Sequence, residues 1–475
     1  MTTGSKLLLS LCLMVAGAGI MAPSLDAQTF QWTYGGAAND AARGGVLVIP
    51  GNGYITVGES QSFGGNNDVY VVRTDACGAI LWSATYDIGG NDVGHKIRQT
   101  ADGGFIIVGE TENLNNCCTR NDIFLLKITA GGAVVWTRTY GGNDIEEGRD
   151  VQVAGNGYVV AGRTASFGMG GQDGYLMMTD LLGNVVWARA YGGIYNDFFL
   201  SCAIAANGDI LGFGSTASYT TSPLDYDFYL ARVAAATGAP NAGFPVHYSN
   251  ALSFDNEIGW SVFENGAGNI VMAGGTLSFG SGRSDGLLIE ANAAGNRLCD
   301  MVYGDTGWDE FLEIKPATNG TYLITGILFN PNGGFGGYDM YIGNVGPCFG
   351  TIMHSIHGGP GDDMGYGLAQ AFGPTVPEVI AVGSTTSFGS GGEDIYSVRT
   401  AANGISGCND RIISLSAEVP NLQAQPAPAY PSIIKASCNA LATSLFHARQ
   451  TQLCTSCNPI PPTLDETSGP DLGMR

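Results

Sequence analysis

Residues 139–187 read TYGGNDIEEGRDVQVAGNGYVVAGRTASFGMGGQDGYLMMTDLLGNVVW, and this stretch decides the fold. It divides into four short strands, around Asp150–Val153, Tyr158–Gly162, Tyr175–Thr179 and Val185–Tyr191. Asn156-Gly157 and Gly183-Asn184 lie between them, dipeptides that accept the positive φ of a tight hairpin. No window of helical length carries an apolar stripe at the helical period. The stretch is therefore a meander of antiparallel strands.

The same pattern recurs along the chain. A Tyr-Gly-Gly-like position falls at Tyr34, Tyr86, Tyr140, Tyr191, Tyr248, Tyr303 and Ile356, at intervals of 51 to 57 residues. An acid follows it at Asp40, Asp92, Asp144, Asp197, Asp255, Asp309 and Asp362. A glycine closes an apolar run at Gly58, Gly109, Gly162, Gly214, Gly274, Gly326 and Gly383. A second acid recurs at Asp68, Asp122, Asp173, Asp227, Asp285, Asp339 and Asp394. Seven units of four strands predict an all-β, seven-bladed β-propeller of four-stranded blades. The opening FQWTYGG is a fourth strand with no unit before it, so it is expected to complete the last blade. That closure removes two open sheet edges. Arg411–Val419, which also alternates, is the rival closing strand.

Composition agrees and excludes other classes. Gly is 73 of 475 residues, about twice the average share, as many tight turns require. The net charge of -22, without basic blocks, argues against nucleic acid as a partner. A 44% hydrophobic content is too high for a disordered chain. Residues 1–27 read as a cleavable export signal: Lys6, an apolar run from Leu7 to Met21, and Ala27 before the cut. The run is too short to span a bilayer, and no other stretch could span one. Of the 11 cysteines, ten follow Cys12, an even number suited to disulfides outside the cell. The domains are thus 1–27, a propeller over 28–406, and an irregular Cys- and Pro-containing tail over 407–475.

The quoted unit resembles the secreted bacterial β-propeller repeats often found in proteins exported by type IX secretion. GCND at Gly407 and QLCTSC near Cys454 resemble the segment that follows the propeller in that group. The resemblance implies the propeller and an extracellular or cell-surface location, and no activity. The residues after that tail do not read as the β-sandwich sorting domain of such proteins, so export by the signal peptide is the expected route.

In a propeller the first strand of each blade lines the axis, and both acid series fall in turns on one face. One reading of Asp40, Asp92, Asp144, Asp197, Asp255, Asp309 and Asp362 is cation binding, with Ca²⁺ the ion that favours several oxygen ligands. The other is architectural, since Asp accepts backbone N–H groups in tight turns and every blade needs the same turn. Repetition in all blades favours the second. Residues that differ between blades are better candidates for a single site: Arg43, His95, Lys96, Glu147, Arg149, Trp260, Glu313 and Tyr366, near the starts of the first strands. They suit a glycan or a surface protein. Nothing resembles a nucleophile elbow or a metal-binding histidine pair. The sequence thus predicts a non-enzymatic secreted binding scaffold. The alternatives are a glycan-active enzyme using Glu147 and Glu313, and an adhesin-like component contacting its partner through the tail.

Overall fold

The computed structural model describes residues 29–49, 52–113, 120–220, 222, 224–249, 256–329, 334–371, 377–420 and 422–427, with 432–433, 442–445 and 449–455 in the tail. The segment 1–27, Cys117, Cys118, Cys438 and Asp255 lie outside the described residues.

The chain forms seven antiparallel sheets arranged as the blades of a propeller. Blade one runs Asp40–Ile49, Gly53–Ser60, Asp68–Thr74 and Ile80–Asp87, from the axis outward. Blades two to six repeat this order, with innermost strands at Asp92–Gln99, Glu146–Ala154, Asp197–Ile204, Glu257–Glu264 and Asp309–Pro316. Blade seven takes Asp363–Gln370, Val379–Thr385 and Asp394–Thr400 from the end of the repeat, and its outer strand, Phe30–Gly35, from the start. Tyr34 pairs with Ile395 and Phe30 with Arg399 across that seam. The N-terminal strand thus closes the ring, while the rival Arg411–Val419 lies elsewhere.

The tail follows the rim. Asp410–Ile412 adds a fifth strand to blade six, Ser416–Glu418 to blade five, Gln423–Pro426 to blade four and Ser432–Ile433 to blade three. Ala442–Leu445 then pairs with blade one and Arg449–Thr455 with blade seven. Six of seven outer edges are thereby covered, and an uncovered edge is what leads sheets to associate. Among the described residues only blade two keeps four strands.

The core lies between blades. Val, Ile and Leu of the middle strands interleave with those of the next blade, as Ile55, Val57 and Val71 do with Ile107, Phe124 and Leu126. The outer-strand aromatics Phe30, Trp82, Trp136, Trp187 and Phe244 each join such a layer, which is a packing role. Cys299 and Cys348 form a disulfide.

The repeating tyrosine explains the period. Tyr86 donates its hydroxyl to the Gly132 carbonyl in the next blade, at 2.7 Å. Tyr34, Tyr140, Tyr191 and Tyr248 do the same to Gly78, Gly183, Gly238 and Gly295, at 2.5 to 2.8 Å. Tyr303 reaches the Phe349 carbonyl. The seventh member is His357, not Ile356: His357 pairs with Met340 at the register that Tyr303 holds opposite Gly286. The strand places Ile356 on the opposite face, in the apolar layer of blades five and six.

Candidate functional site

Every innermost strand carries a β-bulge at the same level. The pairing to the second strand shifts between Gly94 and Lys96, Gly148 and Asp150, Phe199 and Ser201, Gly259 and Ser261, Phe311 and Glu313, and Gly365 and Gly367. Blade one shifts between Ala42 and Gly45, with two extra residues. A bulge leaves one residue out of the ladder and re-aims its side chain. Here the extra residues are Arg43 with Gly44, His95, Arg149, Leu200, Trp260, Leu312 and Tyr366. All of them line one cavity on the axis, together with Lys96. Its volume is about 60 Å³, or about 410 Å³ when the space open to solvent is counted.

The cavity wall has two halves. Arg43, His95 and Arg149 come from three consecutive blades and carry the nitrogen donors. Leu200, Trp260, Leu312 and Tyr366 come from the other four and are apolar or aromatic. Arg43 lies over the Tyr366 ring at 5.8 Å and closes the wall between the halves. Carboxylates behind the wall hold the cations. Arg43 pairs with Glu59 at 2.6 Å and Glu393 at 3.3 Å, and Arg149 with Glu147. Arg149 also lies 3.2 Å from His95 Nε2. Burial, and then the Arg149 charge, lower the pKa of His95, which favours its neutral form. Trp260 donates its indole N–H to Glu310 at 3.1 Å.

The floor is the next residue of each strand: Gly45, Lys96, Asp150, Ser201, Ser261, Glu313 and Gly367. Lys96 crosses the axis from blade two to Glu313 in blade six, at 2.7 Å. Glycine on blades one and seven lets those two strands approach closely, since a Cβ on Gly367 would lie 3.1 Å from the Gly45 nitrogen. Lys315 Nζ, at 3.1 Å, and the Leu368 N–H, at 2.6 Å, also bond to Glu313. Burial alone would raise the Glu313 pKa, but Lys315 and Lys96 outweigh it and hold the carboxyl well below its usual range. Asp150 pairs with Arg98 at 3.0 Å and accepts the Cys202 N–H at 3.0 Å. The axis is therefore plugged by ion pairs beneath a shallow mouth.

Six of the eight candidate residues thus line the cavity. Glu147 and Glu313 do not: Glu147 turns back to Arg149 and Arg163, and Glu313 is sealed in the floor. Gly44, Leu200 and Leu312 were missed because a search for chemical groups passes over apolar side chains. A positional signal existed, since the bulged residue follows the strand-opening acid by three places in every blade.

The acid series needs correction at three positions. The innermost strands open on Asp40, Asp92, Glu146, Asp197, Glu257, Asp309 and Asp363. Asp144 instead lies half-exposed and pairs with Arg120 at 2.7 Å, Asp362 sits one residue early, and Asp255 is outside the described residues. The acid follows the tyrosine or histidine by six residues in six blades and by nine in blade five; a search for aspartate alone passed over Glu146 and Glu257, and counting from Ile356 instead of His357 gave Asp362. The true members act as turn clamps. Six of them accept an N–H from four residues earlier: Gly36 to Asp40, Ile88 to Asp92, Gly142 to Glu146, Gly193 to Asp197, Asp305 to Asp309 and Gly359 to Asp363, all at 2.7 or 2.8 Å. Ser62, Ser218 and Ser387 hydroxyls add bonds to Asp40, Asp197 and Asp363. The acids serve separate junctions and do not converge on one ring site.

No protein-family model matches the chain, and no curated protein matches it. Among solved structures, Sqt1 from Chaetomium thermophilum aligns at 8% identity and a TM-score of 0.38, over 79% of this chain and 99% of that one. A xylan beta-1,4-xylosidase from Bacillus halodurans C-125 aligns at 10% identity and a TM-score of 0.26, over 81% and 87%. Neither likeness is close enough to carry a function.

Proposed function

We propose that the chain is a secreted, non-enzymatic binding propeller whose axial mouth takes the acidic end of a glycan. The observation that carries this is the ring of seven in-register bulges, which sets guanidinium groups against an aromatic and apolar wall. A guanidinium matches a carboxylate or sulfate in charge and geometry. An indole or phenol ring suits the apolar face of a sugar. At about 60 Å³ the cavity fits one terminal acidic group and not a threaded chain. Glu313 offers no general acid, since such a group needs a raised pKa and Glu313 is held low by its lysines. Export is supported by the apolar N-terminal run and the cysteine usage.

The test is a glycan array probed with the wild-type chain, Arg149→Ala and Trp260→Ala. Binding should favour glycans ending in a uronic or sialic acid, weaken with salt, and fall on the order of tenfold in each variant. Equal binding of neutral glycans, or undiminished binding by both variants, would sink the proposal. Binding to a surface protein stripped of glycans, with none to the array, would replace the ligand class.

A further inference from the structure

At each blade junction the acid opening the third strand of one blade stands near the acid opening the first strand of the next. The pairs include Asp394 with Asp40, Asp173 with Asp197, Asp285 with Asp309, and Asp339 with Asp363. The residue after the repeating tyrosine or histidine sits between them and is glycine at five junctions. A Cβ on Gly35, Gly141, Gly192, Gly304 or Gly358 would lie 1.6 to 2.4 Å from a carboxylate oxygen of Asp394, Asp122, Asp173, Asp285 or Asp339. Ser249 takes the place at a sixth.

The junction of blades one and two departs from this rule. Its pair is Asp68 and Asp92, and the residue in the glycine place is Asp87. A third carboxylate stands where the rest of the ring holds no charge. Carboxylate oxygens of Asp68, Asp87 and Asp92 all lie within 4.8 Å of one another. Asp68 is 5% exposed and Asp92 0%, and the Oδ1 atom of each is buried without a hydrogen-bond partner, as are those of Asp40, Asp285, Asp339 and Asp363 at other junctions, so the added Asp87 carboxylate is what sets this junction apart. Asp92 Oδ2 is occupied by the Ile88 and Gly89 N–H groups, so Oδ1 is the atom left over. Among the described residues no lysine, arginine or histidine forms an ion pair with the three. Three carboxylates with two orphaned, buried oxygens are costly unless protons or a positive charge neutralise them. Asp87 lies at the surface, which gives an ion a way in.

We infer that Asp68, Asp87 and Asp92 bind one divalent cation, of the Ca²⁺ class, between the first two blades. With Asp92 Oδ2 taken by backbone N–H groups, the three carboxylates supply up to five oxygens, and the open side admits water. Ca²⁺ accepts that irregular, high coordination, whereas Mg²⁺ demands a compact octahedron. The ion would tie the outer strand of blade one to strands of both blades.

The purified full chain, stripped with EDTA and exchanged to pH 7.5, would be titrated with CaCl₂ by calorimetry and melted with and without Ca²⁺. The comparison is Asp87→Gly, which installs the residue of the other junctions and so keeps a geometry the fold already tolerates. Wild type should bind one ion per chain and melt higher with Ca²⁺. Asp87→Gly should bind on the order of tenfold more weakly or worse, lose the Ca²⁺-dependent gain, and melt no lower than wild type in EDTA. No binding to wild type, or equal binding by Asp87→Gly, would overturn the site. An equal rise in melting temperature with Mg²⁺ would overturn the assignment to Ca²⁺.

Discussion

At the scale of single residues, the ring is tied by the hydroxyl of one tyrosine in each of six blades. Each bond joins a strand to a hairpin of the next blade, so the hydroxyl is worth more to the ring than to its own sheet. Tyr140 is buried and its partner is the Gly183 carbonyl, at 2.6 Å. Tyr140→Phe keeps the ring's packing and leaves that carbonyl unpaired. It should cost about 1 to 3 kcal/mol, read as a lower midpoint in urea unfolding. A midpoint equal to wild type would show that the clamp contributes nothing net. His357 fills the seventh place, and a search keyed to tyrosine skipped it.

At the scale of the element, the inner strand does two tasks with adjacent residues. The bulged residue faces the mouth, and the one after it builds the plug. Glu313 binds Lys96 from across the axis and Lys315 from its own strand, so it is the hub of that plug. Glu313→Gln leaves two part-buried lysines, Lys96 and Lys315, without their anion, which puts the cost at or below the buried-pair range. Loss of one partner from a buried ionic cluster costs about 3 to 5 kcal/mol. Unfolding of Glu313→Gln should begin at markedly lower denaturant than wild type, while Glu147→Gln, on the mouth side, should lose less. Equal losses would mean that the plug is not the more demanding layer. Much of the mouth was legible in sequence, since Arg43, His95, Arg149, Trp260 and Tyr366 differ between blades within a common frame. What was not legible is that Glu147 and Glu313, at neighbouring offsets, face elsewhere. The bulge shifts the alternation by one residue, and period-two counting cannot foresee the shift.

At the scale of the whole molecule, burial raises the pKa of junction acids all round the ring. Asp285 and Asp339 are pushed up to about 6, Asp173 and Asp309 to about 7, and Glu257 to about 8. In the unfolded chain these groups release their protons near pH 4. Between there and pH 8 the folded ring therefore holds more protons than the unfolded chain, so stability falls as pH rises through about 6 to 8. The net charge of -22 acts in the same direction through self-repulsion. The melting temperature in metal-free buffer should be higher at pH 5 than at pH 8. A flat or opposite profile would show that the junction acids are already ionised in the fold.

The sequence by itself determined the number of blades and the strands within them, and narrowed the closing strand to Phe30–Gly35 or Arg411–Val419, between which the structure chose the first. Those properties follow from local patterning repeated seven times, and a repeat is visible without any knowledge of contacts. It favoured a turn role for the repeated acids, since every blade needs the same turn, but misplaced three of them, and the N–H that six of them accept came only with the structure. Only the tertiary structure decided which side chains meet on the axis, since Arg43, Arg149 and Trp260 are separated by whole blades. The same holds for the tail, whose short strands take their places from the outer edges they cover. Asp68 and Asp87 were both in plain view, but a sum of three charges at one point exists only where two blades touch.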